Sequence, residues 1–252
     1  MGSLTARLEN HRLTRALLRR LPVAARRLAF RGSARHCPVC QSSVSRFLVF
    51  GRSQRPNALC PICESQERHR LNWLFIERHT DLLSGAARSL LHVAPEPILE
   101  ERFRCAPGVD YLSADLDPQR AMMAMDLMDM DLPDEAFDAI FCSHVLEHVE
   151  DDRRAMRELW RVLAPGGFAL LPVPPIRIEK TVEDPSVVDP AERERRFGQW
   201  DHVRRYGRDY VDRLREAGFE VRVMGAAELV GAENVDRFGV GNGDEVFFCR
   251  KP

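Results

Sequence analysis

No stretch of the 252-residue chain reaches the run of about 18 apolar residues that a membrane-spanning helix needs. The first residues also lack a continuous apolar segment, so no secretory signal is expected. Net charge is nearly absent, at −1, which removes any global electrostatic case for a nucleic-acid partner. Internal repeats and low-complexity runs are missing too. Cysteine is present in an odd number, seven, and four of the seven form two C-x-x-C pairs. That usage fits a metal site in a reducing, cytoplasmic setting better than a disulfide framework. What remains is ordinary for a globular protein: 44% hydrophobic and 30% charged residues, enough chain for one large α/β domain and a small appendage.

The charge is unevenly spread. Residues 1–36 carry nine arginines (Arg7, Arg12, Arg15, Arg19, Arg20, Arg26, Arg27, Arg31 and Arg35) against one acid, Glu9. Leu13, Leu17, Leu18 and Leu21 share a helical face, which Pro22 interrupts. A basic helical extension over 1–35 is therefore expected. It either packs on the body, binds an anionic surface, or stays unstructured.

Cys37-Pro-Val-Cys40 and Cys60-Pro-Ile-Cys63 are two tight knuckles about 20 residues apart. Each turn presents two sulfurs to one ion, and together they make a four-thiolate set for structural zinc. Four protein ligands leave no open position for catalysis. His36 and His69 flank the site as alternate ligands, but are expected to be exposed instead. Phe47–Phe50 reads as a ribbon strand, and Glu64–Leu83 as a helix linking this module, over 36–85, to the rest.

From residue 86 the pattern alternates strands with helices: Ser89–Ala94, helix Pro97–Cys105, Val109–Asp115, Met122–Leu127, Phe137–Cys142, a helix after Asp151-Asp152, then Phe168–Val173 after the stop at Pro165-Gly166-Gly167. A helix over Arg208–Ala217 and strands Glu220–Gly225 and Glu245–Arg250 complete the domain, 86–252. Successive βαβ units imply a parallel sheet whose ligands lie at the strands' carboxyl ends. Asp115 and Asp126 fall at such ends and suit ribose hydroxyls, the plainer alternative being that they are helix caps or turn acids. The stretch 175–207 is longer than an ordinary connection. It concentrates Trp200, His202, Arg204 and Tyr206 after the fifth strand, where a lid and acceptor-recognition element would sit.

Ala114-Asp115-Leu116-Asp117-Pro118, Leu132–Asp138, SHVLEHVEDD (Ser143–Asp152), LWRVLAPGGFALLPVP (Leu159–Pro174) and RLREAGF (Arg213–Phe219), in this order, resemble a class I S-adenosylmethionine-dependent methyltransferase of the type 11 group. The resemblance implies a Rossmann-like seven-stranded sheet of order 3-2-1-4-5-7-6, its seventh strand antiparallel, beside the zinc-ribbon-like module. It implies S-adenosylmethionine as cofactor, held by His92, Ala94, Glu96, Asp115, Leu116, Asp126, Leu127 and Ser143. One departure stands out: the family's glycine-rich first turn reads His92-Val93-Ala94-Pro95-Glu96-Pro97 here, with Ala94 where the first glycine would be and two prolines removing amide donors.

His144, Glu147 and His148 fall at i, i+3 and i+4 in the turn after the fourth strand. They are candidates for a general base or a divalent-ion site at the acceptor, with His202 the alternative base, against the plainer reading that they shape the loop. The expected function is methyl transfer to an oxygen or nitrogen of a small or medium-sized molecule of saccharide or natural-product type. An RNA methyltransferase that grips RNA through the zinc module, and a non-catalytic methyltransferase-like zinc scaffold, are the alternatives. Nucleic acid is the less favoured partner, because the zinc segment has only Arg46, Arg52 and Arg55 and no aromatic stacking platform.

Overall fold

The computed structural model describes residues 15–252 apart from positions 17 and 52, so the expectations for Arg7, Arg12, Leu13, Leu17 and Arg52 lie outside the described residues. The chain forms two compact units. The first comprises the residues up to Arg78 together with Gly225–Asp244; the second comprises His79–Met224 and Glu245–Pro252.

In the first unit, helix α1 (Val23–Ala29) precedes two small antiparallel ribbons, β1 (Arg31–Cys37) with β2 (Ser42–Val44) and β3 (Leu48–Phe50) with β4 (Arg55–Leu59). Helix α2 (Glu67–His79) follows, shorter at both ends than its sequence pattern. Its inner face, Leu71, Trp73, Leu74, Phe75 and Ile76, is buried.

Fully buried Arg70 is the internal tie of this unit. It donates to the carbonyls of Asn57, Ala58 and Ser65, and to Phe238 and Gly239 at 2.7 Å each. The last two carbonyls lie in the segment between the final strands, which the sequence pattern had assigned to the larger domain. That segment folds into the short helices α7 (Ala226–Val230) and α8 (Val235–Phe238). Its own side chains supply too few buried apolar contacts for a domain. The backbone carbonyls it offers to Arg70, and Leu229 O offered to Arg78 at 2.9 Å, attach it to the first unit instead. His69, expected at the surface, is buried and accepts from Gln66 N at 3.1 Å, while His36 is half-buried against Ser43 Oγ.

The second unit is built on a seven-stranded sheet of spatial order β12-β13-β9-β8-β5-β6-β7. Its strands are β5 (Arg88–Val93), β6 (Val109–Asp115), β7 (Met123–Ala124), β8 (Phe137–Cys142), β9 (Leu163–Leu170), β12 (Glu220–Gly225) and β13 (Glu245–Arg250). Strands β5 to β9 run parallel, and β13 is antiparallel to β9. Numbered by sequence within this sheet, the order is 3-2-1-4-5-7-6, the class I methyltransferase arrangement. Helices α3 (Pro97–Arg104), α4 (Asp152–Val162) and α6 (Tyr210–Glu216) cross between strands. Asp151 caps α4 by accepting from Arg154 N at 2.9 Å, and Ala155, Met156, Leu159 and Val162 bury the helix on the sheet.

Two local readings are corrected. The Pro165-Gly166-Gly167 stop lies inside β9 as a bulge, with Gly166 at φ +76° and its N–H paired to Lys251 O, so the strand starts at Leu163 and ends at Leu170. The third strand is only two residues long, because Asp126 turns the chain by accepting from Met128 N. The 175–207 insertion contains a two-stranded ribbon, β10 (Val182–Glu183) with β11 (Arg204–Arg205), and helix α5 (Pro190–Phe197).

Candidate functional site

The sheet register sets one ledge. Val93 pairs with Ala114 on one side and Cys142 on the other, so Ala94, Asp115 and Ser143 leave their strands at the same level. Asp115 pairs with Ala124, and Met125 N returns to Asp115 O at 2.9 Å, which brings Asp126 to the same end. Ala94 has φ +47°, the left-handed region that glycine usually occupies, and its N–H bonds Ala114 O at 2.8 Å. The alanine thus adopts the backbone turn of the missing glycine and carries the strain of its own Cβ.

The Asp115 carboxylate is 10% exposed and accepts from Asp117 N at 2.9 Å, which aims it along the ledge. Ser143 Oγ is buried without a hydrogen-bond partner, a group in want of a ligand. Leu116 and Met122 are exposed apolar side chains on this rim, while Leu127 is buried and Asp126 exposed. Glu96 is half-buried at the start of α3. His92 is corrected: its imidazole is fully buried in an aromatic cluster with Phe103, Tyr111 and Phe141, and Nδ1 meets Tyr111 Oη at 3.0 Å. His92 packs against Phe103 of α3, so its side chain does not reach the ledge.

Beyond Ser143 the loop 143–150 holds the second cluster. His144, at φ +57°, donates its N–H to Pro172 O at 2.9 Å, which pins the loop to the end of β9. Its Nδ1 lies 3.4 Å from Glu147 Oε1. Glu147 is 1% exposed, and neither carboxylate oxygen has a hydrogen-bond partner. Burial pushes its carboxyl up, yet the neighbouring His144, and the field of His148, hold it below the usual range.

His148 and His202 stack edge to face with centroids 4.7 Å apart. Ligand atoms of Glu147, His148 and His202 lie within 4.8 Å of one another. His202 is buried, which pulls its imidazole below the ordinary range and favours the neutral ring.

Two residues expected to bind substrate are corrected. Arg204 is 4% exposed, and its guanidinium is consumed by Glu183 at 3.0 Å and by the carbonyls of Leu146 at 2.9 Å, Val149, and Glu150 at 2.7 Å. Tyr206 is buried, donates to Asp152 Oδ2 at 2.7 Å, and is pushed well above the usual phenol range by burial and that carboxylate. Both fasten the insertion to the loop that bears Glu147 and His148. Trp200 is 58% exposed, so its indole is open to contact.

Asp152 and Glu183, the acids at the centre of this fastening, escaped the sequence reading. Arg213 bridges them, at 2.9 Å to Asp152 and 2.8 Å to Glu183. In sequence Asp152 is a helix-start acid, and nothing in its neighbours signals a buried pair.

In the first unit the four sulfurs of Cys37, Cys40, Cys60 and Cys63 lie within 4.8 Å of one another, with Cys37–Cys63 at 3.6 Å and Cys40–Cys60 at 3.9 Å. All are free of disulfides. A tetrahedral ion with metal–sulfur bonds of about 2.3 Å holds its sulfurs roughly 3.8 Å apart, so the set fits one. Ser65 Oγ lies 3.1 Å from Cys37 Sγ and 3.3 Å from Cys63 Sγ.

Residues 92–171 match the methyltransferase domain family. The chain is 32% identical to demethylmenaquinone methyltransferase of Deinococcus radiodurans over 31% of its own length and 37% of that protein. It is 29% identical to ajmaline N-methyltransferase of Rauvolfia serpentina, over 36% of the chain and 34% of the relative. The chain thus spans about a third of the length of the curated relatives it matches. Among solved structures, an S-adenosylmethionine-dependent methyltransferase from Mesorhizobium loti superposes with a TM-score of 0.50 at 18% identity, over 73% of this chain and all of that one. That likeness establishes the fold of the larger unit.

Proposed function

We propose that the protein is an S-adenosylmethionine-dependent methyltransferase acting on a small or medium-sized acceptor. The ledge carries the reading: Ala94, Asp115 and Ser143 emerge at one level from three adjacent parallel strands, and Asp126 joins them. The cofactor supplies a methyl group on a sulfonium. On this reading Asp115 accepts the ribose hydroxyls, and Leu116, Asp126 and Leu127 flank the adenine. The Ala94 turn and Ser143 Oγ receive the amino-acid end, with Glu96 near its ammonium. Methyl transfer then depends chiefly on holding the acceptor atom in line with the methyl. Glu147, His148 and His202 are the groups that handle the acceptor, with His144 positioning Glu147 and Trp200 open at the rim.

A small-molecule acceptor is supported by the two relatives, named for a quinone and an alkaloid. RNA is the less favoured acceptor: part of the basic segment is engaged within the first unit, where Glu64 takes Arg15 at 2.6 Å and Arg19 at 3.1 Å and Arg35 meets Asp236 at 2.6 Å. Zinc in the four-cysteine cluster is structural on this reading, because no coordination position is left open.

Calorimetric titration with S-adenosylmethionine tests the assignment. Binding is expected, and Asp115→Ala should weaken it about 10- to 100-fold through loss of charge-assisted bonds to the ribose. A wild-type chain that binds no cofactor sinks the enzyme reading and leaves a zinc-containing scaffold.

A further inference from the structure

We infer that Glu147, His148 and His202 form a divalent transition-metal site that binds a hydroxyl-bearing acceptor. The inference rests on the methyltransferase reading for its purpose but not for its geometry. Two imidazoles and one carboxylate offer ligand atoms within 4.8 Å of one another. First-row cations take that donor set and retain open positions for water or substrate.

Three further observations point to a cation. Glu147 is almost completely buried, and neither of its oxygens accepts a hydrogen bond. A buried carboxylate left in that state is costly unless a positive charge faces it, and its nearest ionisable neighbour, His144 at 3.4 Å from Oε1, makes no hydrogen bond to it. His202 directs Nδ1 at Phe197 O, 3.2 Å away, so Nε2 is the nitrogen left for a ligand. His148 directs Nδ1 at Asp201 Oδ2, 3.4 Å away, and Gln199 Nε2 in turn donates to Asp201 Oδ1 at 2.8 Å. A histidine whose second nitrogen is held by a carboxylate or a carbonyl is the usual outer arrangement around a metal. His202 has such a bond, and the Asp201 carboxylate stands beside His148 as an ion-pair partner. Ligands of one such cation stand about 3–3.5 Å apart, so binding draws the lid's His202 and the loop's Glu147 and His148 together.

The chemistry follows from the open position. An acceptor hydroxyl bound to the cation loses its proton to water more readily than a free one. Its oxygen then forms the bond to the methyl carbon while the sulfur–methyl bond breaks. That bond's electron pair stays on sulfur, leaving S-adenosylhomocysteine as a neutral sulfide. The acceptor class is therefore an alcohol, phenol or enol rather than an amine, which carries its own lone pair and gains nothing from the cation.

Titration of the zinc-loaded chain with Co2+ tests the site, since the four-cysteine cluster is already filled. One equivalent is expected to bind with visible ligand-field bands and no thiolate-to-metal charge-transfer band. His202→Ala and His148→Ala should each weaken Co2+ binding at least 100-fold, and Asp201→Asn about 10-fold as an outer partner. Unchanged S-adenosylmethionine affinity and an unchanged urea midpoint confirm that these variants fold. Absence of a stoichiometric cobalt site, or a site indifferent to His148 and His202, overturns the inference even when the cofactor binds. Cobalt bound by a chain that takes no S-adenosylmethionine sustains the metal site and removes the methyltransferase reading.

Discussion

Arg204 offers the sharpest test of how the insertion is held over the candidate site. Its buried guanidinium reaches three backbone carbonyls of the 146–150 loop and the Glu183 carboxylate. Truncation in Arg204→Ala removes all four bonds at once. Glu183 is not orphaned, because Arg213 still pairs with it at 2.8 Å and 3.1 Å. The loss therefore falls mainly on the three carbonyls. At about 1–2 kcal/mol for each bond from a charged donor, with partial recovery by water entering the gap, the expected destabilisation is about 3–5 kcal/mol. Arg204→Lys keeps the charge but has no fork to span separated carbonyls, so about 1–3 kcal/mol is expected.

Urea unfolding measures the global cost, and amide hydrogen exchange locates it. The Val203 amide, which bonds Glu147 O at 3.0 Å, should lose protection in both variants. Because Tyr206 bonds the same Leu146 carbonyl as Arg204, at 3.2 Å, Arg204→Ala and Tyr206→Phe should be non-additive by at least about 0.5 kcal/mol. A loss below 1 kcal/mol for Arg204→Ala, with Val203 protection intact, would refute the view that this arginine fastens the insertion.

Metal analysis of the purified chain should find zinc bound by the four cysteines, and Cys60→Ser should abolish it and unfold the first unit, read as lost protection in β3 and β4; a metal-free chain with intact protection refutes the zinc reading. Ala94→Gly relieves an L-residue at φ +47° and should raise stability by up to about 1 kcal/mol, whereas Ala94→Val should lower it by about 1–3 kcal/mol, both by urea midpoint. Glu183 is held down to about 2 by the Arg213 and Arg204 guanidiniums against the opposing effect of burial. A depressed carboxyl contributes stability that is complete above its unfolded value, about 4.3, and that is lost as pH falls toward 2. Since the side chain is 35% exposed and partly screened, acid titration should cost about 1–2 kcal/mol through this group, and Glu183→Gln should flatten the stability profile over that window.

The sheet was legible because each strand is a short apolar run closed by an acid, a glycine or a helix cap. Phe137–Cys142, Val109–Asp115, Glu220–Gly225 and Glu245–Arg250 have the bounds their patterns imply. Local pattern failed where a distant partner decides. The 226–244 segment follows a strand of the sheet, and Arg70 and Arg78, more than 150 positions earlier, reveal which unit it joins. His92 carries the same chemistry as any site histidine in sequence. Its fate was set by strand parity and by Phe103, Tyr111 and Phe141 arriving from other elements. The paired knuckles were readable because ligand spacing within a tight turn is itself local.

The insertion shows why polar residues rich in chemistry divide into structure and function along one short segment. His202, Arg204 and Tyr206 alternate with exposed or half-buried neighbours, so all three point inward. Tyr206 ties to Asp152 at the start of α4, and Arg204, as deeply buried, gathers the carbonyls of residues 146, 149 and 150. Only His202, at the open end, meets a side chain with capacity to spare, the His148–Glu147 pair. The two inner residues spend their polarity on fixing the loop and the ribbon against each other. That fixation lets the outer one hold an imidazole beside a buried carboxylate at a distance a cation can bridge. Composition could single out the segment, since all three residue types suit a binding pocket. Depth along the segment assigns the roles, and depth depends on where α4 and the 143–150 loop come to lie.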